Sequence, residues 1–113
     1  MKTISDRLVV VNPDARTREA ASDLLRALAS PTRIAIVLSL RENSQCVHEL
    51  VGALELNQPL VSQHLRVLKD AGVVRGNRNG REIIYELVDD HLAHIVVDAV
   101  AHSMESDDRA VTE

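Results

Sequence analysis

The sequence is almost without aromatic residues: Tyr85 is the single one among 113 residues, and Phe and Trp are absent. A core built from this chain must therefore be aliphatic, and recognition of nucleic acid by stacking bases on aromatic rings is nearly excluded. The single cysteine, Cys46, excludes an intrachain disulfide and suits a reducing compartment. The sequence also lacks an apolar run of about 18 residues, the length that indicates a membrane-spanning helix.

What is present is the composition of an ordinary folded domain, with 45% hydrophobic and 27% charged residues. The length suits a single domain. The apolar stretch Leu8–Val11 is too short for the core of a signal peptide and is soon followed by Pro13. We therefore expect a cytoplasmic protein with residues 1–13 as an N-terminal arm, 14–106 as the folded domain and 107–113 as a flexible tail.

Positive and negative charges are segregated along the chain. The net charge is −4, but residues 57–82 hold five basic residues against two acidic ones, a local charge of +3 that leaves −7 for the rest. Residues 83–108 hold seven acidic residues and no Lys or Arg. A basic patch of this kind can hold phosphates although the whole molecule is anionic.

Capping residues and hydrophobic spacing predict four helices before the end of the basic segment. The second of these is the clearest, because Pro31 occupies its first position. A short third helix is predicted for CVHELVGALEL, and a fourth for NQPLVSQHLRVLKD, which Gly72 follows. The predicted N-caps are Asn12 or Asp14 for the first helix, Ser30 for the second and Asn57 for the fourth.

The fourth predicted helix has an apolar side and a polar side. At about 100° per residue, Val61, Leu65 and Leu68 form its inward stripe. The opposite side mixes small or amide side chains with positive ones, and this mixture suits base edges and phosphates better than plain solvation. The residues on that side are Ser62, Gln63, Arg66 and Lys69.

The segment VVRGNRNGREIIYELV predicts a β-hairpin, in which Asn79-Gly80 is typical of a type I′ turn. Arg78 and Arg81 lie at its tip. A helix with a polar outer face followed by a basic hairpin predicts a mainly α, winged helix-turn-helix fold, in which the helix enters the major groove and the hairpin reaches the flanking DNA. The alternative is a small helical domain whose arginines only solvate the surface.

Three segments of the chain, LASPTRIAIVLSL, LVSQHLRVLKDAGVV and GREIIYEL, resemble the core motifs of the ArsR/SmtB family of bacterial metal-responsive repressors. The resemblance covers about residues 24–105. It implies a homodimeric repressor, not an enzyme, that binds double-stranded operator DNA at an inverted repeat and releases it when an effector binds. Neither a membrane nor a small-molecule substrate is expected as a partner.

The last predicted helix, about residues 89–105, carries a stripe of residue types that bind metals. His91 and His102 are eleven residues apart, only about 20° off one line of the helix, and Asp98 and Glu105 lie near that line. Eleven residues also separate the two histidines by about 16 Å, so one ion with metal–nitrogen bonds of about 2.0–2.1 Å cannot touch both. Two copies of this helix packed antiparallel about a two-fold axis would bring Asp89 and His91 of one copy to His102 and Glu105 of the other.

Two nitrogens and two carboxylate oxygens suit tetrahedral Zn²⁺, with Co²⁺ and Ni²⁺ as competitors. The resemblance implies the same ligands. Family members that sense zinc or related metals carry an Asp-x-His pair and, eleven residues after that histidine, a His-x-x-His/Glu pair, which this sequence matches at Asp89, His91, His102 and Glu105. The alternative is that these histidines cap and solvate a dimer helix or respond to pH near neutrality.

A second metal site of the family uses a Cys-x-Cys pair on the third helix. The corresponding residues here are Cys46 and His48, which form only a candidate accessory site, the alternative being a buried, inert Cys46. His94 fits no ligand position, and Asp98 is a candidate hydrogen-bond partner of a ligating histidine. The sequence thus predicts a repressor released by Zn²⁺, and the alternative is a metal-blind, redox-responsive or pH-responsive repressor of the same fold.

Overall fold

The computed structural model describes the backbone of residues 13–112 and the side chains of residues 13–105. This part of the chain forms five helices and three strands, and none of these helices combines the length and apolar character needed to cross a membrane. The predicted arm, with the candidate cap Asn12, lies outside the described residues. The helices are α1 Ala15–Leu28, α2 Pro31–Glu42, α3 Val47–Leu54, α4 Gln58–Asp70 and α5 Asp90–Thr112; the strands are β1 Gln45–Cys46, β2 Val74–Asn79 and β3 Glu82–Leu87.

The predicted helix starts are confirmed. Asp14, Ser30 and Asn57 each accept a hydrogen bond from the backbone N–H three residues later, at 2.8, 3.2 and 2.9 Å. Each bond satisfies a backbone donor that the first turn of a helix would otherwise leave without a partner. Gly72 follows the end of α4 with φ of 78°, a conformation that glycine adopts without strain.

The core is aliphatic, as the near-absence of aromatic residues requires. Val61, Leu65 and Leu68 are 0%, 1% and 0% exposed, so the predicted inward stripe of α4 is confirmed. On α2, Ile36 and Val37 are the fully buried residues. The other members of the buried cluster are Leu28, Leu40, Leu50, Val73, Val74, Leu92 and Val96.

The sheet has the order β1-β3-β2, with both pairs antiparallel. The hairpin β2–β3, which we call the wing, was predicted, but β1 was not, because two residues are too few to show a period. β1 pairs Gln45 with Tyr85 and Cys46 with Ile84. These pairs attach the middle of β3 to the segment between α2 and α3.

The turn of the wing differs from the prediction by one residue. Asn79 pairs with Glu82, so the two-residue loop is Gly80-Arg81 and not Asn79-Gly80. Gly80 has φ of 68°, whereas Arg81 does not have a positive φ. A positive φ at the first central position alone is the pattern of a type II′ turn, so the predicted type I′ turn is wrong.

Cross-strand charges favour this position of the loop. A turn one residue earlier would place Arg78 opposite Arg81, and like charges directly opposite each other destabilise a hairpin. In the observed register Arg78 lies opposite Ile83 and Arg75 lies opposite Glu86. The register therefore exchanges a repulsive cross-strand pair for an attractive one.

Helix α5 follows the wing and packs against α2. Leu92, Ala93 and Val96 form its buried face. It runs to Thr112, beyond the end near Glu105 that the periodicity predicts, and so continues into the segment 107–113 that we expected to be a tail.

Candidate nucleic-acid interface and metal centre

The outer side of α4 carries the side chains predicted to contact DNA. Ser62, Gln63, Arg66 and Lys69 are all exposed, because the buried stripe on the other side fixes the rotation of the helix against the core. Three of them, Ser62, Arg66 and Lys69, line a cleft of about 380 Å³ that also includes Tyr85 of the wing. The structure thus joins the outer side of α4 and one face of the wing into a single surface.

The two predicted arginines of the wing tip are also exposed. Arg81 is a loop residue and lines a second cleft, of about 280 Å³, together with Gln58 at the start of α4. Arg78 belongs to β2 and lines neither cleft. The tip therefore brings the cation of Arg81 close to the first turn of α4.

A polar network on the wing was not predicted from the sequence. Arg75 Nε donates to Glu86 Oε2 at 2.7 Å, and Asn77 Nδ2 donates to the same oxygen at 3.0 Å. The hydrogen bonds from Arg75 and Asn77 hold the pKa of Glu86 below its usual value. The charge of Arg75 is thus offset within the wing, whereas Arg78 and Arg81 make no ion pair with the described residues.

A second unpredicted contact joins α2 to α4. Arg33 Nη1 lies 3.2 Å from Nδ1 of His64, and Arg33 Nε donates to the carbonyl oxygen of Ala27 at 2.6 Å. Burial and the positive charge of Arg33 lower the pKa of His64. The two side chains are 31 positions apart in the chain, so no local pattern signals their contact.

Asp89 and His91, two of the four predicted metal ligands, lie together at the start of α5. Asp89 Oδ1 accepts a hydrogen bond from Leu92 N at 3.3 Å, which caps the helix, and the same oxygen lies 3.5 Å from His91 Nδ1. The His91 side chain is 93% exposed and that of Asp89 49%. Asp89 therefore has a structural role in capping, while its Oδ2 and the Nε2 of His91 lie outside these contacts.

The second half of the set, His102 and Glu105, is exposed further along α5. Within the side chains that the structure describes, no three His, Cys, Asp or Glu residues lie close enough to hold a metal ion. One chain thus does not bring Asp89 and His91 to His102 and Glu105. This separation is what a single straight helix imposes on residues that are eleven positions apart.

The candidate accessory residues lie near each other but differ in exposure. Cys46 is buried and occupies the N-cap of α3, whereas His48 is exposed, and both line the cleft of about 280 Å³. The backbone hydrogen bond to Glu49 lowers the pKa of Cys46, but burial and the carboxylates of Glu82 and Glu49 outweigh it, so the pKa is raised. A raised pKa does not favour a metal site, because the thiolate is the form that binds metal.

Comparison with known proteins identifies the family. The sequence model of bacterial regulatory proteins of the arsR family matches residues 30–75. Over 93 residues the chain is 66% identical to the HTH-type transcriptional repressor SmtB of Mycobacterium tuberculosis, covering 82% of this chain and 69% of that protein. It is 39% identical over 90 residues to the HTH-type transcriptional regulator NmtR of the same organism, covering 80% and 75%.

Solved structures agree with this result. The solution structure of apo-NmtR matches with a TM-score of 0.66 at 38% identity, covering 81% of this chain and 77% of that one. A homodimeric winged helix-turn-helix DNA-binding domain from Mycobacterium bovis matches with a TM-score of 0.78 at 21% identity, covering 87% and 91%, and supports the fold alone. The predicted winged helix-turn-helix fold is thus confirmed. The 66% identity between this chain and SmtB extends over most of both chains. It shows that this chain belongs to the ArsR/SmtB family and is a transcriptional repressor rather than an enzyme.

Proposed function

We propose that the protein is a cytoplasmic, homodimeric repressor that reads operator DNA with α4 and the wing and is released by Zn²⁺ bound between the two α5 helices. The observation that carries the proposal is a division of exposed side chains between two surfaces. Cations lie on α4 and the wing tip, whereas carboxylates and imidazoles lie on α5. Phosphates favour the first surface, and a divalent cation favours the second.

The DNA surface combines side chains of two kinds. Arg66 and Lys69 on α4 and Arg78 and Arg81 on the wing supply charge for phosphates, while the amide of Gln63 can pair with a base edge. In a two-fold symmetric dimer the two α4 helices would enter successive major grooves about 34 Å apart, and this geometry requires an operator with an inverted repeat.

Helices α1 and α5 supply the dimer contact in this proposal. Both leave large apolar side chains in solvent, Leu25 on α1 at 54% exposure and Met104 on α5 at 63%. Burial of such side chains against a second copy is favourable, at about 25 cal/mol per Å² of apolar surface removed from water. Antiparallel packing of the two α5 helices would also bring the two halves of the metal set together.

The residues present fit a zinc ion. Asp89 and His91 of one copy with His102 and Glu105 of the other would provide two imidazole nitrogens and two carboxylates. Asp89 Oδ1 lies 3.5 Å from His91 Nδ1, so Nε2 is the nitrogen of His91 outside this contact and the one we assign to the ion. Residues 83–108 carry no Lys or Arg, so no cation of this segment neutralises the carboxylates. When bound, the ion would supply a crosslink between the two α5 helices.

The test is a titration of operator DNA at fixed salt, followed by fluorescence anisotropy, with and without zinc. The duplex is first selected from a random pool by the metal-free wild-type protein. We expect zinc to weaken wild-type binding by about 5–150-fold, the usual range of allosteric coupling. His102→Ala should bind the duplex without zinc but keep its affinity when zinc is added.

His94→Ala is the matched control, because His94 is also an exposed histidine of α5 but lies outside the proposed ligand set. This variant should be released by zinc as the wild type is. Equal release of wild type and His102→Ala would contradict the ligand assignment. If zinc releases none of the three proteins, the protein is a metal-blind repressor of this fold.

A further inference from the structure

Arg33 lies where three helices of the described chain meet. It belongs to the first turn of α2, its Nε donates to the carbonyl oxygen of Ala27 in the last turn of α1 at 2.6 Å, and its Nη1 contacts His64 of α4 at 3.2 Å. A single side chain thus connects the helix proposed for dimer contact with the helix proposed for DNA reading.

The contact between Arg33 and His64 depends on one protonation state of the histidine. A guanidinium group has only donors, so His64 Nδ1 must accept and its proton must lie on Nε2. A protonated His64 would have donors on both nitrogens and would face Arg33 as a second cation. The contact therefore exists only while His64 is neutral.

The charges around His64 support this dependence. Helix α4 packs against α1, α2, α3 and β2, and among the described groups on these elements Arg33 is the one whose charge acts on His64. Asp23 and Arg26 of α1 line a cleft of about 400 Å³ with Arg33 and with Asp70 of α4, but they pair with each other at 2.9 Å.

His64 does not lie on the side of α4 proposed to contact DNA. It is two positions along the chain from both Ser62 and Arg66, which places it about 160° around the helix from each of them. It is partly buried, whereas Ser62 and Arg66 are exposed. An effect of His64 on DNA binding would therefore act through the placement of α4 and not through a direct contact.

We propose that Arg33 is a positioning residue for DNA recognition, which holds α4, through neutral His64, at the orientation to α1 that operator binding requires. This inference rests on the proposed reading of DNA by α4. Two α4 helices in successive grooves must keep a set distance and angle across the dimer. A contact from α1 to α4 fixes that angle within each protomer, and loss of the contact removes this polar link while the apolar packing of α4 remains.

The experiment measures operator affinity of the metal-free protein at fixed salt, with the duplex selected by the wild type. At about pH 7.5, Arg33→Gln and His64→Leu should each weaken binding about tenfold, the effect of losing one hydrogen bond to a charged group. Arg41→Gln is the control, because it removes the same charge from an exposed position of the same helix. It should stay within about twofold of the wild type, since a single distant surface charge contributes little.

A pH series separates positioning from a general loss of stability. His64→Gln keeps an acceptor for Arg33 and cannot be protonated near neutral pH, so it should bind like the wild type at about pH 7.5. As the pH falls to about 5.5, below the ordinary histidine pKa of about 6.5, the wild type should weaken relative to His64→Gln by about fivefold or more. His94→Gln should show no such divergence from the wild type.

The inference is overturned if Arg33→Gln and His64→Leu bind as tightly as Arg41→Gln, or if the affinities of wild type and His64→Gln keep a constant ratio across the pH series. If Arg33→Gln does not fold, the two His64 variants decide the result alone. A wild-type protein that selects no duplex would instead refute the proposed function, and this inference with it.

Discussion

Arg75 of β2 and Glu86 of β3 lie directly opposite each other and are joined by a hydrogen bond of 2.7 Å from Arg75 Nε to Glu86 Oε2. This pair exists only because the loop of the wing is Gly80-Arg81. A loop one residue earlier would place Arg75 opposite Ile84 instead. The presence of the pair therefore depends on the register of the hairpin. The pair also offsets one positive charge close to the proposed DNA surface.

The Arg75–Glu86 pair should make a measurable and pH-dependent contribution to the stability of the wing. We expect Glu86→Gln to lower the urea midpoint of unfolding slightly at about pH 7, because the amide forms a weaker bond to Arg75. The pKa of Glu86 is lowered by its hydrogen bonds to Arg75 and Asn77. The stabilisation by ionised Glu86 is therefore complete above the pKa of an unfolded-state glutamate, about 4.3. It is lost as the pH falls through the lowered pKa of Glu86 in the folded protein. The curves of wild type and variant should converge there, and a gap that stays constant would contradict the pair.

Gly76 is the glycine of the wing at which a side chain would meet close neighbouring atoms. A Cβ atom there would lie 2.7 Å from Ile83 Cγ2 and 3.2 Å from Tyr85 Cε1, whereas a Cβ atom at Gly52 would meet nothing within 4 Å. We expect Gly76→Ala to destabilise the protein by about 1–3 kcal/mol, as overpacking does. Gly52→Ala is the control and should stabilise by about 0.5–1 kcal/mol, because Gly52 lies within α3. Urea unfolding measures both, and equal effects of the two substitutions would disagree with the packing of the wing.

Arg66 should contribute to DNA affinity mainly through charge. We expect Arg66→Ala to weaken operator binding and to reduce the slope of log K against log salt by about 1, as loss of one phosphate contact does. Arg41→Ala removes an exposed arginine from α2 and should leave the slope unchanged. Anisotropy titrations at several salt concentrations measure the affinity and the salt slope of both variants. An unchanged slope together with altered sequence preference would assign Arg66 to a base edge instead of a phosphate.

Much of the fold follows from short stretches of sequence. The caps at Asp14, Ser30 and Asn57 are local, because each oxygen bonds a donor three residues away. The buried stripe of α4 and the exposure of its other side follow from the helical period alone. The basic segment and the hairpin are likewise contiguous in the chain, so a single sequence could indicate the winged helix-turn-helix fold.

The position of the turn shows where local patterns fail. Asn-Gly is a strong hairpin signal, but it does not say which residue begins the loop. The register depended on pairs across the strands, including the opposition of Arg75 to Glu86. Likewise, β1 is too short to show alternation and exists only because β3 offers it an edge.

Sequence by itself determined which residue types this protein places on each helix, because capping and periodicity act over a few residues. It thus determined the apolar and basic sides of α4 and the imidazoles and carboxylates of α5. Tertiary structure decided what those residues meet: Arg33 reaches His64 across 31 positions of the chain, and the donors of α5 remain in two separate groups within one copy. The physical reason is that packing of whole elements, and not local propensity, sets distances between residues far apart in sequence.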